Sequence, residues 1–223
     1  LTGVVYGPWV YGSMQWFREI IPARYPIRNY PDITHSLDCQ LPVPDWDVAF
    51  ALTEGREVIN PRPLDEAAIF RHQQPPTIGF LSYSEGCHDD LNKALWSQLG
   101  WNPEADPLEI LRDYGRYFIG EAFAEGVAQG ILALERNWQG ALATNVGVET
   151  TLLQFQALEQ MAASTAPFVL KNWRFQQLLY RAYYDAYVRA RLLHEEALES
   201  SANAWLRQAD RIGMELWRLH RRM

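Results

Sequence analysis

Only two cysteines, Cys39 and Cys87, occur among the 223 residues, which excludes a disulfide scaffold, and neither spacing nor context demands a bridge between them. Long hydrophobic runs are missing too. GVAQGILAL at 126–134, among the longest, falls far short of the ~20 residues a bilayer-spanning helix needs. Positive charge is scarce: 20 Lys and Arg stand against 27 Asp and Glu, a net charge of −7, and no long basic run could follow a phosphate backbone. A membrane span and a nucleic-acid partner are therefore not expected. There is no internal repeat or low-complexity tract. What is present, 48% hydrophobic and 13% aromatic residues, is enough to bury a sizeable core. The chain starts with Leu, and LTGVVYGPWV has neither the charged amino end nor the cleavage site of a signal peptide, so it reads as a processed or truncated piece.

Two halves differ in grammar. Over residues 1–100, short apolar runs alternate with helical patterns, punctuated by Pro and Gly. GVVYGPWV, YPIRNYPD, REVIN and TIGFLSYS read as strands, the last as a buried-type run through Ile78, Phe80 and Leu81. Between them SMQWFREII opens on Ser13, DWDVAFALTE on Asp45 with Gly55 just past its end, and LDEAAIFRHQ on Pro63. DDLNKALWSQLG follows, with carboxylates in its first turn where the macrodipole favours them. Four βα units imply a parallel sheet. Residues 101–223 read as an α-helical domain. DPLEILRDYGRYF starts with Asp106 as cap, Pro107 next and Glu109 in the capping-box position. GVETTLLQFQALEQMAA forms another helix. A long one opened by Pro167 runs to about Ser200, with an apolar stripe through Phe175, Leu179, Ala182, Ala186, Ala190, Leu193 and Ala197. A final helix carries Trp205, Ile212, Leu216 and Leu219.

The loops after the second and fourth strands carry Asp32, Thr34, His35 and Asp38, then Tyr83, Glu85, His88, Asp89, Asp90 and Asn92. IPARY and QQPP, on the other side, are short and plain. In a (β/α)8 barrel, chemistry sits on the loops after the strands, and four units alone would leave two raw edges. The expected fold is therefore α/β: the carboxyl-terminal half of a (β/α)8 barrel followed by the helical domain. An amino-terminal half-barrel chain, or a second copy in a homo-oligomer, would be the partner. An open sheet covered by the helical half is the alternative.

YPDITHS, PVPDWD, NPRP and YSEGCHDDLNK, followed by LGWNPEADPLEILRDYGRYF, stand in an order that resembles the last barrel strands and following helices of glycoside hydrolases in the α-glucuronidase and N-acetylglucosaminidase-like superfamily. The resemblance covers roughly residues 1–135. It implies carbohydrate hydrolysis, with the loop after the last strand shaping a sugar pocket, and it leans toward a periplasmic or secreted setting. A retaining nucleophile at the end of the seventh strand would fall near Asn60, which has no carboxylate. In the substrate-assisted relatives the key acids lie on a strand this chain lacks.

Glycoside hydrolysis needs two carboxyl groups, or one acid and a substrate nucleophile. Glu85, Asp90 and Asp32 are the catalytic candidates. His35, Tyr83, His88, Asp89, Asn92 and Trp9 are expected to bind substrate, the aromatic rings by stacking on sugar faces. Asp89 and Asp90 also suit the plainer role of helix caps. His35, Asp38, Cys39, Cys87 and His88 lack C-x-x-C or H-x-x-x-H spacing, so neither a metal nor another cofactor is expected. Tyr180, Tyr183, Tyr184 and Tyr187 fall at helical spacings and read as packing positions. The rivals to an enzyme are a non-catalytic carbohydrate-binding or assembly module and a helical interaction protein with a βα scaffold.

Overall fold

The computed structural model describes residues 2–222. The chain is mostly helical, 63% by residue, with a small parallel sheet at its amino end. Strand β1 (Val4–Tyr6) leads through α1 (Met14–Ile20) to β2 (Ile27–Asn29), and the two strands pair in parallel with Val4 opposite Ile27. Ser13 caps α1 by accepting from the Trp16 N–H, as its side chain suggests. Val4, Tyr6 and Ile27 pack beneath α1 with Met14 and Phe17.

Two of the four expected strands differ. TIGFLSYS runs beside β2 in the parallel sense but only as isolated bridges, Asn29 to Phe80 and Asp32 to Tyr83. The Ile78 N–H donates to Ile27 O at 2.8 Å and the Tyr83 N–H to Pro31 O at 3.0 Å. Pro31 has no N–H to give back, and Gly79 sits at φ +143, so a regular ladder cannot build. Ile78 and Leu81, expected inside, are exposed; Phe80 alone turns in, against Phe70 and Trp96. REVIN forms no strand. The Arg56 carbonyl accepts from the Ser36 N–H, and the Asn60 N–H donates to His88 O, so its backbone is spent on neighbouring loops while Val58 packs with Trp138.

The helices follow as α2 (Val48–Glu54), α3 (Pro63–Gln73), α4 (Asp90–Trp101), α5 (Pro107–Phe118), α6 (Ala124–Asn137), α7 (Gly147–Thr165) and α8 (Trp173–His220). Asp47, not Asp45, caps α2 by accepting from the Ala49 N–H at 2.8 Å, and Gly55 follows the helix at φ +78. Asp106 caps α5, but Glu109 pairs with Arg112 instead of closing a capping box. Asn172 caps α8, not the residues around Pro167, and the two expected last helices are one continuous element. Leu111, Val127, Ile131, Phe155, Phe175 and Leu179 form the main core. There α6 and α7 approach so closely that a Cβ on Gly130 would lie 2.7 Å from the Phe155 ring.

Polar groups tie the two halves together. The Glu135 carboxylate on α6 accepts from the Leu64 and Asp65 N–H groups at the start of α3, at 2.9 and 2.8 Å, where free amides and the helix dipole favour an anion. Glu66, fully buried, accepts from the Trp96 indole at 2.8 Å and pairs with Arg62 at 3.2 Å. Burial pushes its carboxyl up to about 7 despite Arg62 and the indole, and burial does the same to Glu54. Because the folded state holds these protons more tightly than the unfolded chain, their stabilisation is full below about pH 4.5 and is lost as pH rises toward about 7. The melting temperature should therefore fall across that window, and Glu66→Gln should flatten the fall; an unchanged slope in the variant would remove Glu66 as its cause.

Candidate functional site

The parallel bridge between Asp32 and Tyr83 sets the loops after β2 and after Ile78–Tyr83 at the same end of the sheet, as the chemistry of both loops requires. At that end His35 lies almost fully buried. Its Nδ1 is 2.7 Å from Asp32 Oδ2, and the other Asp32 oxygen accepts from the backbone N–H groups of Thr34 and His35 at 3.1 and 3.3 Å. With Asp32 ionised, Nδ1 carries the proton and Nε2 is left for other chemistry. Among the described residues Nε2 has no hydrogen-bond partner, and it faces Glu85 Oε2 at 3.3 Å and Glu57 Oε1 at 3.7 Å. The Tyr83 ring stacks on the imidazole, 5.9 Å between centroids, and its hydroxyl donates to the Glu85 carboxylate. That hydrogen bond is the largest influence on the Glu85 carboxyl and holds it below its ordinary range; the same contact pushes the Tyr83 phenol up to about 12.

An aromatic shelf leads away from this cluster. Tyr83 meets Tyr30 edge-on at 6.4 Å, and Tyr30 meets Trp9 at 5.5 Å. Trp9 is largely exposed and folds over Gly7, where a Cβ would lie 2.8 Å from the indole. The shelf is thus built from the ends of β1, β2 and the Ile78–Tyr83 segment.

Several residues expected in the site serve elsewhere. Asp90, a catalytic candidate, accepts both arms of Arg174 at 2.7 and 3.1 Å and the Tyr114 hydroxyl at 2.8 Å. It latches α4 to α5 and α8 because a carboxylate at the start of α4 lies within reach of both. Asp89, expected to bind substrate, is fully buried and accepts from Thr34 Oγ1, Ser84 Oγ and Lys93; its side chain makes no cap hydrogen bond. Asn92 is also fully buried, donating to Ile33 O at 3.0 Å and Asn60 O at 2.8 Å. Both fix the loop that carries His35 instead of touching a ligand. His88 makes no hydrogen bond to the cluster, and its half-buried ring has an Nε2 without a partner among the described residues. Asp32 orients His35 and, with its oxygens engaged, does not face the opening. Cys39 and Cys87 are both free thiols.

Sequence reading passed over Glu57 and Tyr30. Glu57 lay inside REVIN, where a strand reading gives it no direction. Tyr30, an aromatic at a strand end like Tyr83, carried a signal that could have found it. Together His35, Glu57 and Glu85 offer ligand atoms within 4.8 Å of one another, a set that could hold a divalent cation or, without one, a pair of closely spaced carboxyl groups beside an imidazole. Comparison with family models, curated proteins and solved structures finds no match to this chain.

Proposed function

We propose that this protein is glycoside-hydrolase-like, binding a carbohydrate on the Trp9–Tyr30–Tyr83 shelf and cleaving a glycosidic bond at the Glu57–Glu85 pair. The observation that carries the reading is the shelf running straight into two carboxyl groups. Sugar rings stack on such aromatic faces, and carboxyl oxygens within 4.8 Å match the ~5 Å separation of a retaining pair better than the ~6.5–9.5 Å of an inverting one. Glu85, kept ionised by Tyr83, attacks the anomeric carbon and forms a glycosyl ester as the glycosidic C–O bond breaks. Glu57 gives its proton to the leaving oxygen, then takes one from the water that hydrolyses the ester. His35, oriented by Asp32, presents its Nε2 to both carboxyl groups, 3.3 Å from Glu85 and 3.7 Å from Glu57.

The chain is further read as the second half of a (β/α)8 barrel. Parallel pairing supports this, as does the sheet face bearing Val5, Arg28 and Ile78, which no helix covers among the described residues. Against it, a barrel would place residues 56–60 between β2 and Ile78–Tyr83, which here pair directly; that pairing favours the second reading, an open sheet covered by the helical half.

The test is a panel of aryl glycosides offered to the purified protein. Turnover of at least one is expected, with Trp9→Ala raising KM about three- to tenfold, the loss of one stacking contact of about 0.5–1.5 kcal/mol. Saturable sugar binding without turnover would make the site a non-catalytic binding module; neither binding nor turnover would overturn the reading.

A further inference from the structure

Helix α8 changes character along its length. Up to Arg189 one face is buried against α6, α7 and α2, through Phe175, Leu179, Ala182 and Val188. Beyond Leu192 no residue is covered: every position from Leu193 to Arg222 is exposed, although the helix continues unbroken to His220. That stretch is roughly 40 Å long at 1.5 Å per residue. The expected apolar stripe thus leaves the core, with Ala190, Leu193 and Ala197 in solvent.

The uncovered stretch is not polar. Leu198, Trp205, Ile212 and Leu219 recur every seven residues, and Ala202, Ala209 and Leu216 follow the first three by four. Alternating steps of four and three make the seam of a coiled coil, and Trp205 on it is 68% exposed. Helices owe most of their stability to packing an apolar face, so a seam of this length calls for a partner helix.

Charge selects the partner. Glu196 and Glu199 lie at the inner end of the seam, and Arg218, Arg221 and Arg222 at the outer end. A parallel pair of copies would set each cluster against its own sign, whereas an antiparallel pair sets acid against base at both ends. In the register that places Ala209 opposite Ile212, Ala202 meets Leu219 and Trp205 meets Leu216, and the Glu199 end of each helix lies level with the Arg222 end of the other. Small residues then face large ones, as a closely packed seam requires.

We propose that the outer half of α8 pairs antiparallel with the same segment of a second copy of this chain. Sedimentation velocity on the full chain should show a reversible dimer. Trp205→Glu combined with Ile212→Glu should weaken it by ~30-fold or more, with the thermal transition of the buried helices kept because neither residue touches them. Reversing the inner cluster with Glu196→Lys and Glu199→Lys should also loosen the dimer, because base would then face base at both ends. A monomer at ~100 μM, far above the Kd of a stable pair, would overturn the proposal, as would a dimer indifferent to the double variant. A tighter dimer in the charge-reversed variant would overturn the antiparallel arrangement, because the inner cluster would then have faced its own sign.

Discussion

Glu85→Gln should lower kcat on an aryl glycoside by at least ~10³-fold while leaving KM within a few-fold, because it removes the nucleophile without removing the shelf. The amide keeps the shape of the carboxylate and its hydrogen bond to Tyr83, so a merely structural role would spare turnover. Two companion variants separate the roles. Glu57→Gln should slow substrates with poor leaving groups far more than nitrophenyl glycosides, since only the former need a proton on departure. Tyr83→Phe should move the acidic limb of the pH–rate profile upward. The phenol is the largest influence holding the Glu85 carboxyl down; without it Glu85 becomes a weaker acid and is ionised only at higher pH. Full turnover in Glu85→Gln would take Glu85 out of the mechanism. An unmoved acidic limb in Tyr83→Phe would show that Tyr83 does not set the ionisation of Glu85.

Arg181→Ala should destabilise the fold by about 3–5 kcal/mol, the cost of breaking a buried ion pair from one side, which lowers the melting temperature by roughly 10 °C for a chain of this size. Arg181 is fully buried. Its guanidinium donates to Asp185 at 3.0 Å, to Ile59 O at 2.7 Å and to Leu134 O at 3.2 Å, and it lies 3.4 Å from the centre of the Trp138 ring. Truncation would leave the Asp185 carboxylate with only Asn137 and the Trp138 indole as donors, and two carbonyls without a partner. Burial already pushes the Asp185 carboxyl upward, against the pull of Arg181. Without that pull the folded variant binds a proton more readily, so part of the loss should return as pH falls. Arg181→Ala with Asp185→Asn should cost less than the two single changes summed, because the stranded charge is gone. Urea unfolding of the four proteins at pH 7 measures this; a loss below ~1 kcal/mol in Arg181→Ala would mean that solvent reaches the pair.

The position of Arg181 also explains why the two halves do not behave as the sequence divides them. Its bond to Ile59, the Asp90–Arg174 pair and the seat of Glu135 on α3 all cross from the βα region into the helices. Each joins residues 70 or more positions apart, beyond the reach of periodicity or capping rules. Local rules did well where local physics decides. Ser13 and Asp106 open their helices through side-chain caps, Gly55 follows α2 at a positive φ that its missing Cβ permits, and Tyr83 ends the Ile78–Tyr83 segment facing the rim. They failed for REVIN, whose β-branched residues suit a strand but whose backbone partners are loops.

What the sequence determined by itself was the helical carboxyl half, the parallel sense of the sheet and the concentration of polar chemistry on two loops. The helices and loops depend on contacts within a few residues, on spacing of three and four, caps, and Pro and Gly breaks, and the parallel sense follows from the alternation of strand and helix. Tertiary structure alone decided which polar residues face the opening. Asp32, Asp89, Asp90 and Asn92 are chemically as able as Glu85, but buried partners satisfy them, and a buried carboxylate or amide must be satisfied to be tolerated. Glu57 and Glu85 stay exposed beside an unpartnered imidazole nitrogen, and only the packing of three separate loops brings them there.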